Sequence, residues 1–205
     1  MSMTRTGWGY DVNGTLGEML SVEDFNIMTA GKYEGDQRIQ PLLNAATAAV
    51  RNYCGWHVAP SASCVLSSRA HDLRMVYSGS DVIIQLPARF VADVSGVTVG
   101  GVEVTDFSFE TNGLLRLYDC CVSSRKTVIE VEYTAGLPAE FCGAVMELIG
   151  HRVTHGLAQS YGVQSEAAGG VSVTYSANWI NSARATALPD DNKEVLEPYR
   201  LQGVF

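Results

Sequence analysis

Ile129-Glu130-Val131-Glu132-Tyr133-Thr134-Ala135-Gly136-Leu137-Pro138 changes its hydrophobic period part-way along. Up to Ala135 apolar and polar residues alternate, which gives an extended chain one apolar and one acidic face. Gly136-Leu137-Pro138 ends the alternation. Beyond it Phe141, Val145, Leu148, Ile149 and Val153 recur at helical spacing, predicting a helix to about Ser160. The period-two region reaches back to about Ala59. Ile83 and Leu86 belong to a run ended by Pro87, and Val97–Val104 is two alternating arms around Gly100-Gly101, a hairpin signal. Phe107 and Phe109 share one strand face, and Asn112-Gly113 turns the chain into Leu115 and Leu117. Together these predict an antiparallel meander of about five to seven strands with one wet side.

Helical sequence also precedes this region. Ser21-Val22-Glu23-Asp24 has the form of a capping box, opening a short helix to about Met28. Gly31 to Gly35 breaks it, and Asp36 can cap the next. From Ile39, the residues Leu42, Leu43, Ala46, Val50 and Tyr53 make an apolar stripe that Gly55 stops. Pro41 must sit in the first turn, because an interior proline costs about 3 kcal/mol. Ala45 and Ala49 make this helix slim, and Gly143 and Gly150 fall on one face of the later helix. These four residues are the expected helix–helix contact. The fold class is therefore α+β: a small helical bundle interrupted by an antiparallel β insertion, with extended N- and C-terminal arms. The expected segments are an arm over 1–19, helical core over 20–58 and 135–161, β insertion over 59–134, and a C-terminal arm over 162–205. Within the last, Gly162 to Gly170 reads as a flexible link, Val171–Ser176 as an extended segment, and Asp191–Leu201 as a short helix stopped by Pro198. Trp8 and Tyr10 in the first arm would be awkward left in water, so a covering neighbour is expected.

Composition narrows the function. The 205 residues carry 14 Lys+Arg against 22 Asp+Glu, a net charge of −8, which argues against a protein that grips nucleic acid by neutralising phosphates. Hydrophobic residues at 46% and charged ones at 18% exclude disorder as the main state, and the low charge favours an assembly. No apolar run approaches the roughly 18 residues that span a bilayer, and the first twenty residues lack a signal-peptide pattern. Cys54, Cys64, Cys120, Cys121 and Cys142 have no disulfide-framework spacing and read as free thiols in a reducing cytoplasm.

Candidate chemistry is thin. His151 and His155 lie one turn apart and could ligate a metal, but Arg152 stands where a zincin helix carries its Glu, and spacing offers no third ligand. Cys142 is about 13 Å along its helix from His151, too far for a thiol–imidazole pair. Neither Gly7-Trp8-Gly9 nor Gly169-Gly170 has the context of a phosphate loop. No catalytic residue, cofactor or metal is assigned.

Four landmarks in order carry a resemblance: Ile39-Gln40-Pro41-Leu42-Leu43-Asn44-Ala45-Ala46-Thr47-Ala48-Ala49-Val50-Arg51-Asn52-Tyr53-Cys54-Gly55; Val131–Pro138 with Glu147-Leu148-Ile149-Gly150-His151-Arg152 after it; Val171–Ser176; and Leu196-Glu197-Pro198-Tyr199-Arg200. Over about Leu20 to Leu201 the chain resembles the head–tail connector (adaptor) family of long-tailed bacteriophages, in its longer form with a β insertion. The resemblance implies a non-enzymatic virion protein of the neck, made in the host cytoplasm. It would form a ring, typically of twelve subunits, between portal protein and a stopper or tail-completion protein. Double-stranded DNA would pass through the lumen without specific binding, and no membrane is involved. The resemblance also implies a C-terminal portal-facing arm over 179–205, with Trp179, Tyr199, Arg200, Leu201 and Phe205 as its anchors; the alternative is that Tyr199 and Leu201 pack on their own subunit. Two other functions stay open: a cytoplasmic metal- or ligand-binding enzyme using His151/His155, and another neck or tail-completion protein.

Overall fold

The computed structural model describes residues 3–138, 141–159, 165–168, 171–174, 188 and 190–201. The chain divides into a β unit, Met1–Gly17, Gly55–Phe141 and Tyr199–Phe205, and a helical unit, Glu18–Cys54 and Cys142–Pro198. The change of period after Ala135 falls close to one of these boundaries. The α+β class holds: strands and helices segregate along the sequence as their periods predict.

In the β unit, β1 (Met3–Arg5) and β2 (Asp11–Asn13) form a hairpin, and β2 pairs with β3 (Ala62–Arg69). Next come β4 (Met75–Ser78), β5 (Asp81–Gln85), β6 (Val91–Val99), β7 (Val102–Glu103), β8 (Phe107–Phe109), β9 (Leu114–Leu117) and β10 (Val128–Ala135). They make two sheets rather than the expected single meander: a six-stranded one ordered β1-β2-β3-β10-β6-β7 and a four-stranded one ordered β4-β5-β9-β8. The difference arises because β10 pairs over Val128–Ala135 with β3 and over Ile129–Ala135 with β6, a long-range insertion that neighbour-to-neighbour reading does not reveal. Its alternation is as read: Ile129, Val131 and Tyr133 are buried, while Glu130 is exposed and accepts from Ser67 and Thr98 on the flanking strands. The Gly100-Gly101 turn forms the expected hairpin, both residues having positive φ as a tight right-twisting turn requires. Val82, Ile84, Leu115 and Leu117 bury the inner face of the second sheet.

The N-terminal segment is thus not a free arm but a sheet edge. Tyr10 is buried, and its hydroxyl lies 2.7 Å from His57 Nδ1 and accepts from the His57 backbone N–H at 3.1 Å. On its other side, His57 Nε2 is 2.9 Å from the Ala135 carbonyl. A carbonyl only accepts, so Nε2 carries the hydrogen and Nδ1 takes the one from Tyr10. Every polar group of this wholly buried imidazole is thereby satisfied. Gly136 completes the arrangement, since a Cβ there would stand 2.6 Å from the Pro60 carbonyl and 2.9 Å from His57 Nε2.

In the helical unit, α1 (Val22–Met28) is capped as its sequence predicts, Ser21 Oγ accepting from the Asp24 N–H at 3.0 Å. Asp36 accepts from both the backbone and the guanidinium of Arg38 at the approach to α2 (Ile39–Cys54). Pro41 sits in the first turn of α2. α3 (Gly143–Gln159) packs against α2, and α4 (Asp190–Leu196) packs against both. The expected C-terminal arm is therefore partly core: Leu188 and Leu196 are buried, and Tyr53 donates to Glu197 at 2.9 Å. Ser165–Ala168 (β11) and Val171–Thr174 (β12) pair as a separate hairpin, occupying part of the expected flexible link.

Replacing Tyr10 by Phe strands both the Nδ1 acceptor and the His57 N–H, and is expected to cost about 1–3 kcal/mol in denaturant unfolding. Tyr133 supplies the contrast. Among the described residues its buried hydroxyl meets only the weakly polar Cys64 thiol across the ladder. Tyr133→Phe is expected to leave stability unchanged or raise it. Asp36 gives a pH signature: its bonds to Arg38 hold the carboxyl down from 3.8 to about 2. That contribution is complete above the unfolded value of 3.8 and is lost as pH falls towards 2. Asp36→Asn should therefore flatten the acid limb of the unfolding midpoint between those values.

Candidate functional site

Among the described residues, the strongest convergence of functional candidates is where Tyr199, Arg200 and Leu201 meet the β unit. Trp56, fully buried, donates its indole Nε1–H to the Tyr199 carbonyl at 2.7 Å. The Phe90 ring lies 6.2 Å from Trp56 at an interplanar angle of 17° and 6.2 Å from Tyr199 at 37°, so three aromatic rings form one run. Arg89 Nη1 donates to the Arg200 carbonyl at 3.1 Å. Phe90 sits at φ +55°, a left-handed conformation that costs a non-glycine residue about 1–2 kcal/mol, and its two ring contacts fix it there. Leu201 is buried. Two successive backbone carbonyls are thus clasped by side chains from Trp56 and Arg89; of the three residues Leu201 is buried, Tyr199 half-buried and Arg200 exposed.

Against the chain's own β unit Leu201 is buried and Tyr199 half-buried. Trp179 and Phe205 lie outside the described residues. The clasp was not visible in sequence, because Trp56 and Tyr199 are 143 positions apart. The available signal was Trp56-His57 directly after the helix stop at Gly55, two large half-polar rings where a loop usually begins.

Beside the clasp lies a cavity of about 370 Å³, lined by Arg74, Val76, Ile83, Gln85, Arg89, Asn112, Leu114 and Leu201. The pairings Val76↔Ile83 and Gln85↔Leu114 place its floor on the outer face of the four-stranded sheet. The floor is aliphatic and two guanidinium groups border it, which suits an apolar segment bearing a carboxylate.

The helix-contact residues are dispersed. Ala49 is buried in α2, but Ala45 is exposed. Gly143, the first residue of α3, has nothing within 4 Å of where its Cβ would be. Gly150 meets Met28 and Leu20, its Cβ position lying 2.9 Å from Met28 Cε. The glycine of α3 that faces α2 is Gly156, 3.2 Å from Leu42 Cδ2. A spacing of seven identifies a shared face but not which end of it meets a neighbour.

His151 and His155 are both exposed, and His151 Nε2 lies 3.6 Å from Glu147 Oε1 one turn earlier. Among the described residues no group of three or more His, Cys, Asp or Glu side chains is arranged to hold a metal ion. Cys54, Cys64 and Cys142 are buried and Cys121 exposed, all as thiols, and burial pushes Cys64 up to about 12, away from reactivity. No described helix is long and apolar enough to cross a membrane.

Compared with known proteins, the chain matches a family model described as HCP, head completion protein, over residues 18–201. No curated protein matches it.

The clasp yields a direct test. Trp56→Phe keeps a ring against Phe90 but leaves the Tyr199 carbonyl unsatisfied. The expected loss is about 1–3 kcal/mol, read as a lower unfolding midpoint. Arg89→Ala, which removes a bond at an exposed position, is expected to cost less.

Proposed function

The chain belongs to the head completion protein family, and from that premise we propose that it forms a ring at the head–tail joint, binding portal protein on one side and a stopper or tail-completion protein on the other. The family is one of phage structural proteins that complete the head, so the role is a structural one in the virion neck. The observation that carries the finer reading is the extent of the match: it takes in helical and β residues alike and ends at Leu201, the last residue of the clasp.

In this reading the protein works by burying surface, with no bond made or broken. About twelve copies would surround a channel for double-stranded DNA. With a net charge of −8 per copy, a lumen lined by acidic side chains would repel phosphates at short range and let DNA slide. The clasp sharpens the proposed portal contact. Tyr199 and Leu201 serve as the fixed base of the arm, and the exposed Arg200 side chain together with residues 202–205 forms its docking end. Arginine and aromatic side chains such as Arg200 and Phe205 suit an interface hot spot.

Two truncations separate base from docking end. Removing residues 202–205 is expected to leave the unfolding midpoint unchanged while DNA-filled heads accumulate without tails in a complementation assay. Removing 199–205 also takes away the partner of Trp56 and is expected to cost about 2–4 kcal/mol. Normal head–tail joining by the shorter truncation would remove the docking arm from the proposal.

A further inference from the structure

Among the described residues β4 is an open sheet edge. It pairs with β5 and, among the described residues, with nothing on its other side. The Gln85 N–H donates to the Arg74 carbonyl at 3.1 Å, so Arg74–Gln85 is a bonded pair of the ladder, and by alternation Val76–Ile83 is another. The N–H and C=O groups of Met75 and Tyr77 therefore point away from the sheet. Val76 is 58% exposed and Tyr77 59%. Natural edges of this kind are normally blocked by Lys, Pro, a bulge or a covering element; Met75-Val76-Tyr77-Ser78 has none of the first three.

The chain also carries an unsatisfied donor. β11 and β12 form a sheet of only two strands, whose outer edges are unpaired among the described residues. A lone two-stranded sheet is marginal in water. β12, Val171-Ser172-Val173-Thr174, is rich in β-branched residues and, like β4, four residues long. Charge matches as well: Ser165–Thr174 contains Glu166 and no base, whereas Arg74 and Arg89 border the outer face beside β4.

We infer that β12 of one copy adds to the β4 edge of the next, joining neighbours through a continuous sheet. The inference rests on the ring reading above and deepens it. Each copy offers one donor strand and one acceptor edge from different stretches of the chain, a heterologous contact of the kind that closes into rings. The incoming strand extends the floor of the cavity at Val76.

Cross-linking in assembled particles tests this. In a Cys120→Ser/Cys121→Ser background, which removes the thiols outside the core, a Val76→Cys chain and a Val173→Cys chain carrying different tags are supplied together during assembly. Opposed Cβ atoms in such a pair stand about 4.5–5.5 Å apart, close enough to bridge after a small adjustment. The expected product on oxidation is a disulfide-linked dimer containing both tags; a Val171→Cys chain covers a two-residue difference in register. The inference is overturned if the chains are present in particles yet neither combination links. It is equally overturned if a doubly substituted chain closes only within itself, or if Val76→Cys links to a different virion protein. Absence of the chain from particles overturns the ring reading itself, and the pairing with it. Tyr77→Pro gives an independent readout, because it removes an outward N–H and spares the bonds to β5. The expected result is a folded chain, by circular dichroism, that loses incorporation into joined particles; full incorporation counts against the pairing.

Discussion

The β unit depends on one buried imidazole. His57 follows the end of α2 by a few residues, is completely buried, and ties Tyr10 from the N-terminal hairpin to the Ala135 carbonyl at the end of β10. A buried polar group left without a partner costs about 1–3 kcal/mol, roughly twice what a bonded one contributes. The hairpin, the path after α2 and the end of the central strand must therefore form together or not at all. Glycine at 136 is the steric condition for this, because any side chain would strike both the Pro60 carbonyl and the imidazole. This polar constraint selects one register for an otherwise interchangeable set of Val, Ile and Leu contacts.

The clasp around Tyr199 and the network around His57 begin from adjacent residues. The indole of Trp56 reaches one way, to the Tyr199 carbonyl, and the imidazole of His57 the other, to Tyr10 and Ala135. Their rings lie 5.3 Å apart, edge to face. A dipeptide just past a helix stop thus recruits residues from three distant stretches of the chain. For a protein whose proposed work is to hold partners under load, segments secured by buried hydrogen bonds resist local opening better than segments held by exposed contacts.

Local signals in the sequence were legible, and long-range ones were not. Ser21 caps α1, Pro41 occupies a first turn, Gly100-Gly101 makes a hairpin and Ile129, Val131 and Tyr133 face inward, each decided by a few adjacent residues. β1 and β2 escaped notice because three-residue strands carry too little alternation to register. The central position of β10 depends on pairing with residues thirty or more positions away on either neighbour, and periodicity holds no information about that. Of the candidate surface, Tyr199, Arg200 and Leu201 were offered by the family resemblance, while their exposure depends on contacts with Trp56, Arg89 and Phe90 that sequence does not reveal. The edge of β4 was missed for the opposite reason. Val76 and Tyr77 show themselves as edge residues only through the sheet order, in which β4 pairs with β5 alone among the described residues.

The separation of Trp56 from Tyr199 also has a consequence in time. A ribosome adding about 5–20 residues per second needs roughly 7–30 s to synthesise the 143 positions between them. Throughout that interval the indole N–H lacks its native acceptor, and the aromatic run through Phe90 ends short. The nascent β unit therefore waits in a sticky, incomplete form until its closing residues emerge. Synthesis itself orders the assembly: the unit is finished only when the segment proposed to carry the docking end is already being made, so a copy competent to fold fully is also one nearly ready to join its neighbours.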